Sequence, residues 1–460
     1  MVEVVNFPLA DIFPLLGCAP GDEVAQRVVT DTRQLRSGDL FVAIRGQRFD
    51  GHDFVAQAAA AGAAGAVVMQ RQPVDLPQCQ VVDTRHAYGQ IARWHRRRIP
   101  LRALVGVTGS NGKTSTKGML AAVLSQVAPT HATAGNLNND LGVPATLLGL
   151  MPDHHYAVVE MGANHGGEIA YLGALAEPDL GIITQAAEAH VGAFGSLAQI
   201  IQTKGELIDA LPKGGVIVLN RDSPGFAEWS ERARQREVEV VCFGQHEAAQ
   251  VRLLQVAQRT TGVRLQLQDL HAVRREVLLP VWGQHQAWNA AAVVAAAQSL
   301  ALEWDAIAAG LQGFSGVPGR MQPMALKGGG VVVDDSYNAN PASVRAAVES
   351  LLRLGPPVLV CLGPLEELGD REGQYLAELG TWMGAQGVRR LWGLGERLLP
   401  AVDGFGEGGQ IFMDHAAMAR ALVRQLQQHP ETMVLVKGSR SAAMEKLIHR
   451  LKEAHADLFV

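Results

Sequence analysis

Along most of this chain, short apolar runs bounded by Gly, Pro, Asn and Asp alternate with longer segments of helical period. Strands that feed helices in an α/β architecture produce such a pattern. The first hundred residues give strands at "DLFVAI", "GAVVM" and "QVV", an Ala-rich helix from Asp53 onward, and an amphipathic helix that ends on "RRR". Further on, "ALVGVT", "YAVVEMG", "LGIITQ" and "GVIVLN" are strands separated by helical stretches, the spacing of a parallel sheet. From about 236 to 282 the period changes to two ("VRLLQV", "VRLQLQ"), predicting an antiparallel extension before the helix "HQAWNAAAVVAAAQSL". A second short helix is expected near 304 to 311, and the Gly/Pro cluster "GFSGVPGRMQ" reads as a linker. Beyond it, "VVVDDSY", "PVLVCLG", "RLWGLG", "QIFMD" and "TMVLVKG" alternate with helices and predict a second parallel sheet. No internal repeat and no low-complexity tract interrupts this order.

The punctuation divides the chain into three α/β domains, 1–98, 99–316 and 317–460. A length of 460 residues with 48% hydrophobic residues supplies enough core for about three such units. Net charge is −5 with a pI near 6.3, and the one basic block, "WHRRR", sits at a helix end, so nucleic acid is not an expected partner. The N-terminal stretch "MVEVVNFPLADIFPLLG" lacks a basic region before an apolar one, and no apolar span is long enough to cross a bilayer. A cytoplasmic protein is expected, with no membrane partner. Cys18, Cys79, Cys242 and Cys361 are scattered without metal or redox spacing, which suggests free thiols and neither zinc nor disulfides.

Chemistry first becomes specific at "GVTGSNGKTSTKGML", where a strand runs into small residues and then a helix. The full phosphate-loop pattern G-x-x-x-x-G-K-[ST] has Val107 at its first glycine position, leaving the shorter "GSNGKT": Gly109, Ser110, Asn111, Gly112, Lys113 and Thr114, followed by Ser115. Glycines let successive N–H groups face one concavity, and the helix N-terminus adds positive potential. Lys113 suits β/γ-phosphate charge, and the Thr114 hydroxyl suits magnesium. ATP with Mg2+ is therefore the expected cofactor pair. Magnesium needs further hard ligands at neighbouring strand ends. Glu160, closing one strand, and His190, beyond the next, are the candidates.

Read together, "GVTGSNGKTSTK", "GNLNNDLGVPATLL", "EMGANHGGEI", "HVGAFGSLAQIIQTKGEL", "HQAWNAAAVVAA", "GRMQ" and "DDSYNANPASVRAA" resemble the Mur ligases of bacterial peptidoglycan synthesis, in the family's order. Within that family "EMGANHGGEI" and "SYNANP" are similar to the branch that adds D-alanyl-D-alanine to UDP-N-acetylmuramoyl-tripeptide, and "TDTRQLRSGDLFVAIRGQRFDGHDF" resembles its UDP-binding domain.

The resemblance implies a small N-terminal UDP-binding domain, a central ATPase domain and a C-terminal Rossmann-like domain. It also implies amide ligation through an acyl phosphate. Lys113 would stabilise the migrating phosphoryl group, and Thr114, Glu160 and His190 would hold magnesium. Lys204 would be carbamylated and join them. Asn289, Arg320 and Asp335 match nucleotide contacts, Asp335 that to the ribose. Thr30, Asp31, Arg33, Gly46 and Asp50 match the uridine diphosphate site, and Asn138 and Asn139 a substrate loop. Tyr337, Asn338 and Asn340 are candidates for the dipeptide side, with Gly438 and Ser439 nearby. Pro364 and Leu365 depart from the family's pattern after "PVLVCLG" and place the local pocket wall in question. A monomer is expected. Two other classes remain open: another ligase of this architecture, such as a diaminopimelate-adding or folylpolyglutamate-type enzyme, and a phosphate-loop switch that hydrolyses nucleotide without ligating. The presence of "SYNANP" and the absence of an arginine-bearing acidic-amino-acid motif weigh against the first.

Overall fold

The computed structural model describes residues 5–46, 49–187, 196–259, 261–366, 368–455 and 458–460. Its three main sheets follow one another along the chain. The first has four parallel strands, 28–29, 40–42, 65–68 and 78–80, beside a two-stranded antiparallel pair, 7–8 and 24–25. The helix expected from Asp53 begins two residues later, at Val55–Ala60, after a tight turn over Gly51–Phe54.

The second sheet has nine strands in the order 274–279, 262–268, 251–259, 239–244, 216–220, 180–183, 103–108, 156–160, 130–132. The expected antiparallel extension is present and continues this sheet: 251–259 pairs parallel with 239–244, then antiparallel with 262–268, which pairs antiparallel with 274–279. Strand Thr130–Ala132 was not legible, being three half-buried residues with no alternation to mark them. On one face of the sheet lies the helix Gln286–Ser299, whose residues from Ala290 to Ala297 are all fully buried. A helix apolar all round must be enclosed. Its alanines let the Lys113–Leu124 helix pack close beside it, in a core shared with Met119, Leu120 and Val123. Helices Glu168–Ala176 and Leu197–Asp209 cover the other face.

The third sheet runs 322–325, 331–335, 433–437, 358–362, 390–394, 409–412. Five strands are parallel as expected, and the unpredicted strand Gln322–Ala325 adds an antiparallel edge.

Cys18 and Cys79 form a disulfide, which overturns the expectation of free thiols. They lie 61 residues apart in sequence, but the end of the Leu9–Leu15 helix and the 78–80 strand bring their Cα atoms to 5.6 Å. Sequence spacing carries no signal for that approach. Cys242 and Cys361 are free and buried. Among the described residues no helix is long and apolar enough to cross a membrane.

Arg93 and the arginines of "WHRRR" after it do more than end the Thr84–Arg98 helix. Arg93 and Arg97 both bond the Glu177 carboxylate, and Arg96 reaches the Ala176 carbonyl, fastening the first unit to the second.

Candidate active site

The strand Ala103–Thr108 lies between 180–183 and 156–160, so its carboxyl end opens beside two others. The glycine loop leaves it there. Gly109 and Gly112 have φ of +144° and +84°. A Cβ on Gly109 would sit 1.9 Å from Thr184 Oγ1, and one on Gly112 2.4 Å from Asn289 Oδ1. Only glycine permits both the conformation and the approach. The loop is also tied from outside. Thr184 Oγ1 donates to the Asn111 carbonyl at 2.6 Å, and the Ser110 N–H to the Gln185 carbonyl at 2.9 Å.

Lys113 opens the following helix, and its Nζ donates to the Gly109 carbonyl at 2.8 Å. Desolvation holds its pKa below the ordinary lysine value, Arg320 adds to that, and Glu160 opposes it. Glu160, 1% exposed at its strand end, accepts from Thr114 Oγ1 at 3.2 Å and Asn138 Nδ2 at 2.8 Å through Oε1. Its Oε2 lies 3.3 Å from the Lys117 ammonium and has no hydrogen-bond partner. An anionic oxygen buried without a hydrogen-bond donor, beside a hydroxyl and a glycine cradle, suits a hard cation and a polyphosphate. These residues therefore fit ATP and magnesium. Among the described residues no three of His, Cys, Asp and Glu converge on one metal position. His190, the expected third ligand, lies outside the described residues.

Lys204 is buried on the Leu197–Asp209 helix, and Nζ donates to the Ala163 carbonyl at 3.5 Å. Burial and the Lys113 charge bring its pKa down to about 7, against the opposing pull of Glu168 and Glu206. The Glu206 carboxylate meanwhile accepts from the N–H groups of Gly167 and Ala170.

From the third sheet, Arg320 lays its guanidinium over the Tyr337 ring, 4.3 Å from the centroid. Asn340 Nδ2 donates to Asn111 Oδ1 at 3.2 Å, so the linker and the "SYNANP" turn meet the glycine loop. Asn340 also caps the Pro341–Leu352 helix, which fixes its orientation. Asp335 and Lys437 end adjacent strands and form a buried ion pair at 2.5 Å, and Asp335 also accepts from the Met321 N–H. Asn289 packs on Gly112 and donates to Gln286.

A cavity of about 480 Å³ joins these groups: the glycine loop, Asn138, Asn139, Glu160, Arg320 and the Tyr337–Asn340 turn all line it. Lys204, Asn289 and Asp335 stand behind its wall. Pro364 and Leu365 are not among its lining residues. Leu365 is fully buried in the core against the third sheet, and the Pro364 carbonyl accepts from the Ser439 N–H.

The five N-terminal candidates form no part of that cavity. Asp31 accepts from the Arg33 backbone and guanidinium, and its pKa is lowered by them. Asp50 bonds His52 and Arg45, with its pKa pushed well down by the His52 hydrogen bonds. The Gly46 N–H donates to the Phe49 carbonyl. Sequence reasoning passed over Lys117, Lys437, Arg440 and Asn136, which border the same site or cavity. For Lys117 a signal existed: it follows Lys113 by four positions and shares its helix face.

Three family models match the chain: the Mur ligase family catalytic domain over 25–102, the Mur ligase middle domain over 107–297, and the Mur ligase glutamate ligase domain over 319–440. The chain is 40% identical over 457 residues to the UDP-N-acetylmuramoyl-tripeptide--D-alanyl-D-alanine ligase of Escherichia coli, covering 98% of this chain and 99% of that one. MurF from Acinetobacter baumannii superposes with a TM-score of 0.91 at 33% identity, covering 98% of this chain and all of that one. The MurF ligase of Thermotoga maritima in complex with ADP superposes with a TM-score of 0.82 at 26% identity, covering 93% and 97%. With that coverage and the glycine loop, Glu160 and the "SYNANP" turn gathered on one cavity, the chain belongs to the Mur ligase family.

Proposed function

We propose that this cavity joins the amine of D-alanyl-D-alanine to the terminal carboxylate of UDP-N-acetylmuramoyl-tripeptide, converting ATP to ADP and phosphate. An amine does not displace oxide from a carboxylate at neutral pH, because the carbon is electron-rich and the leaving group poor. Transfer of the terminal phosphoryl group to a carboxylate oxygen removes both obstacles. The amine then attacks the acyl phosphate, the C–O bond to phosphate breaks, and the nitrogen releases a proton. Both steps depend on alignment and charge neutralisation. The observation that carries this reading is that the glycine loop and the "SYNANP" turn line one cavity, with Asn340 bonded to Asn111.

In this reading Lys113 neutralises the phosphoryl group in flight. Glu160, Thr114 and His190 would hold magnesium, which when bound neutralises phosphate charge and draws the reacting oxygens together. Lys204, carbamylated by carbon dioxide, would add a carboxylate-like group. Its burial and lowered pKa support this, since carbamylation needs the neutral amine. Arg320, Asn289 and Asp335 would contact nucleotide, and Tyr337, Asn338 and Asn340 the dipeptide. Thr30, Asp31, Arg33, Gly46 and Asp50 would hold the uridine diphosphate end, with Asn138 and Asn139 facing the muramoyl peptide. The units 1–98, 99–316 and 317–460 act as a monomer in this account. The compartment is cytoplasmic because both ATP and a nucleotide-activated precursor are required; the disulfide removes the cysteine argument for that placement.

The test is ADP release with each component withheld in turn. Continuous ADP release should require ATP, UDP-muramoyl tripeptide and D-Ala-D-Ala together, with no more than about one ADP per enzyme formed when only the dipeptide is withheld. Equal release without the two acceptors would favour a nucleotide switch.

A further inference from the structure

Residues 134–140 face every unit of the protein. Arg85, from the first unit, pairs with Asp140 at 2.6 Å. Tyr337, from the third, faces the same cavity as Asn136. From the central unit, Glu160 accepts from Asn138, and the Gly162 N–H donates to the Asn138 carbonyl at 2.8 Å. The remaining tie is Lys117. Its side chain is 7% exposed, and its ammonium donates to the Gly135 carbonyl at 2.7 Å while lying 3.3 Å from Glu160 Oε2.

We propose that Lys117 is a positioning residue for ligation: its ammonium pins residues 135–140 to the glycine-loop helix and to Glu160, setting Asn138 and Asn139 for the muramoyl substrate. The phosphate-facing cation is Lys113, one turn earlier. Lys117 points instead toward the loop carbonyl, and its stem is enclosed. A lysine so placed has lost most of its hydration, and it is retained where directed bonds replace that hydration. Of its two partners, the Gly135 carbonyl belongs to the substrate loop, and Glu160 is itself bonded to that loop through Asn138. A loop tied to the first and central units also lets a shift in either of them reach Asn138.

The inference rests on the ligase reading, and ligation by the unaltered protein is the control that separates the two failures. Lys117→Met keeps the stem and removes the charge, the hydrogen bond to Gly135 and the ion pair with Glu160. KM for UDP-muramoyl tripeptide should rise about tenfold or more, as expected for loss of a charge-assisted hydrogen bond that holds the substrate loop. KM for ATP should rise less than KM for the tripeptide, because Gly112, Lys113 and Thr114 are untouched and Glu160 keeps its bonds from Thr114 and Asn138. Independently of activity, amide hydrogen exchange at residues 135–140 should quicken in the substrate-free protein, while exchange along 113–124 stays as it was. If Lys117→Met does not fold, Lys117→Gln, which leaves a polar group beside Glu160, carries the same two readouts. Lys117→Arg, with charge and donors retained, should recover part of the affinity. Unchanged exchange at 135–140, or equal rises in both KM values, would overturn the proposal.

Discussion

Lys113→Ala removes the one ammonium that opens the glycine-loop helix, and its cost can be set from what that ammonium touches. Its present partners are the carbonyls of Gly109 at 2.8 Å and Ser110 at 3.4 Å, contacts within its own loop. Losing them costs about 1 kcal/mol per hydrogen bond, offset because the cation is desolvated and relief of that burial is favourable. Stability should therefore move by only about 1 kcal/mol, a few degrees at most in a protein of this size. Catalysis should respond differently. Removing one preorganised donor from developing charge costs about 2.7–4 kcal/mol, or about 10²–10³ in kcat. The assay is steady-state ADP release with both acceptors saturating, beside a thermal melt. KM for UDP-muramoyl tripeptide should hardly change, since Lys117, and not Lys113, anchors residues 135–140. Two lysines on one helix face thus acquire different signatures, one in kcat and one in substrate KM. A kcat within tenfold of the unaltered protein, or a large loss of stability accompanying the loss of rate, would refute this reasoning.

Lys204→Ala should lose most activity and regain part of it with formate or acetate; 13C-labelled bicarbonate should give a carbamate resonance in the unaltered protein and none in the variant. A full-rate variant, or no resonance, returns Lys204 to an ordinary buried lysine. Arg93→Ala with Arg97→Ala removes both guanidiniums from Glu177 and should lower stability by about 1 kcal/mol or less, as these pairs are half exposed, and less so at high salt; a thermal melt in two salt concentrations reads this. Thiol titration of the denatured, unreduced protein should count two reactive cysteines, Cys242 and Cys361, and four after reduction.

The parallel sheets were legible because their buried strands are short apolar runs that end in polar or glycine residues, and "ALVGVT" into "GSNGKT" states both the strand and its phosphate loop. Strands 130–132 and 322–325 were not, since they are short and depend on a neighbouring strand rather than on their own pattern. The site followed the same division. Lys113, Thr114 and Glu160 announce themselves by residue type at a strand end. Lys437 looks like a surface lysine until the fold buries it against Asp335, and Lys117 had only its spacing from Lys113 to mark it before the fold set it against Glu160. The Cys18–Cys79 bond is likewise invisible without the tertiary approach of a helix end to a strand. Arg85 and Arg93 read as one basic helix, and only the docked units reveal Asp140 and Glu177 as their partners.

The central claim is that the tripeptide carboxylate is activated by phosphorylation before the dipeptide amine attacks it. Labelling that carboxylate with 18O and weighing both products by mass spectrometry tests this directly. The account predicts a product heavier than the labelled tripeptide by one D-Ala-D-Ala less one 18O-labelled water, with one labelled carboxylate oxygen transferred to inorganic phosphate for each amide formed. Unlabelled phosphate released alongside unligated tripeptide would contradict it.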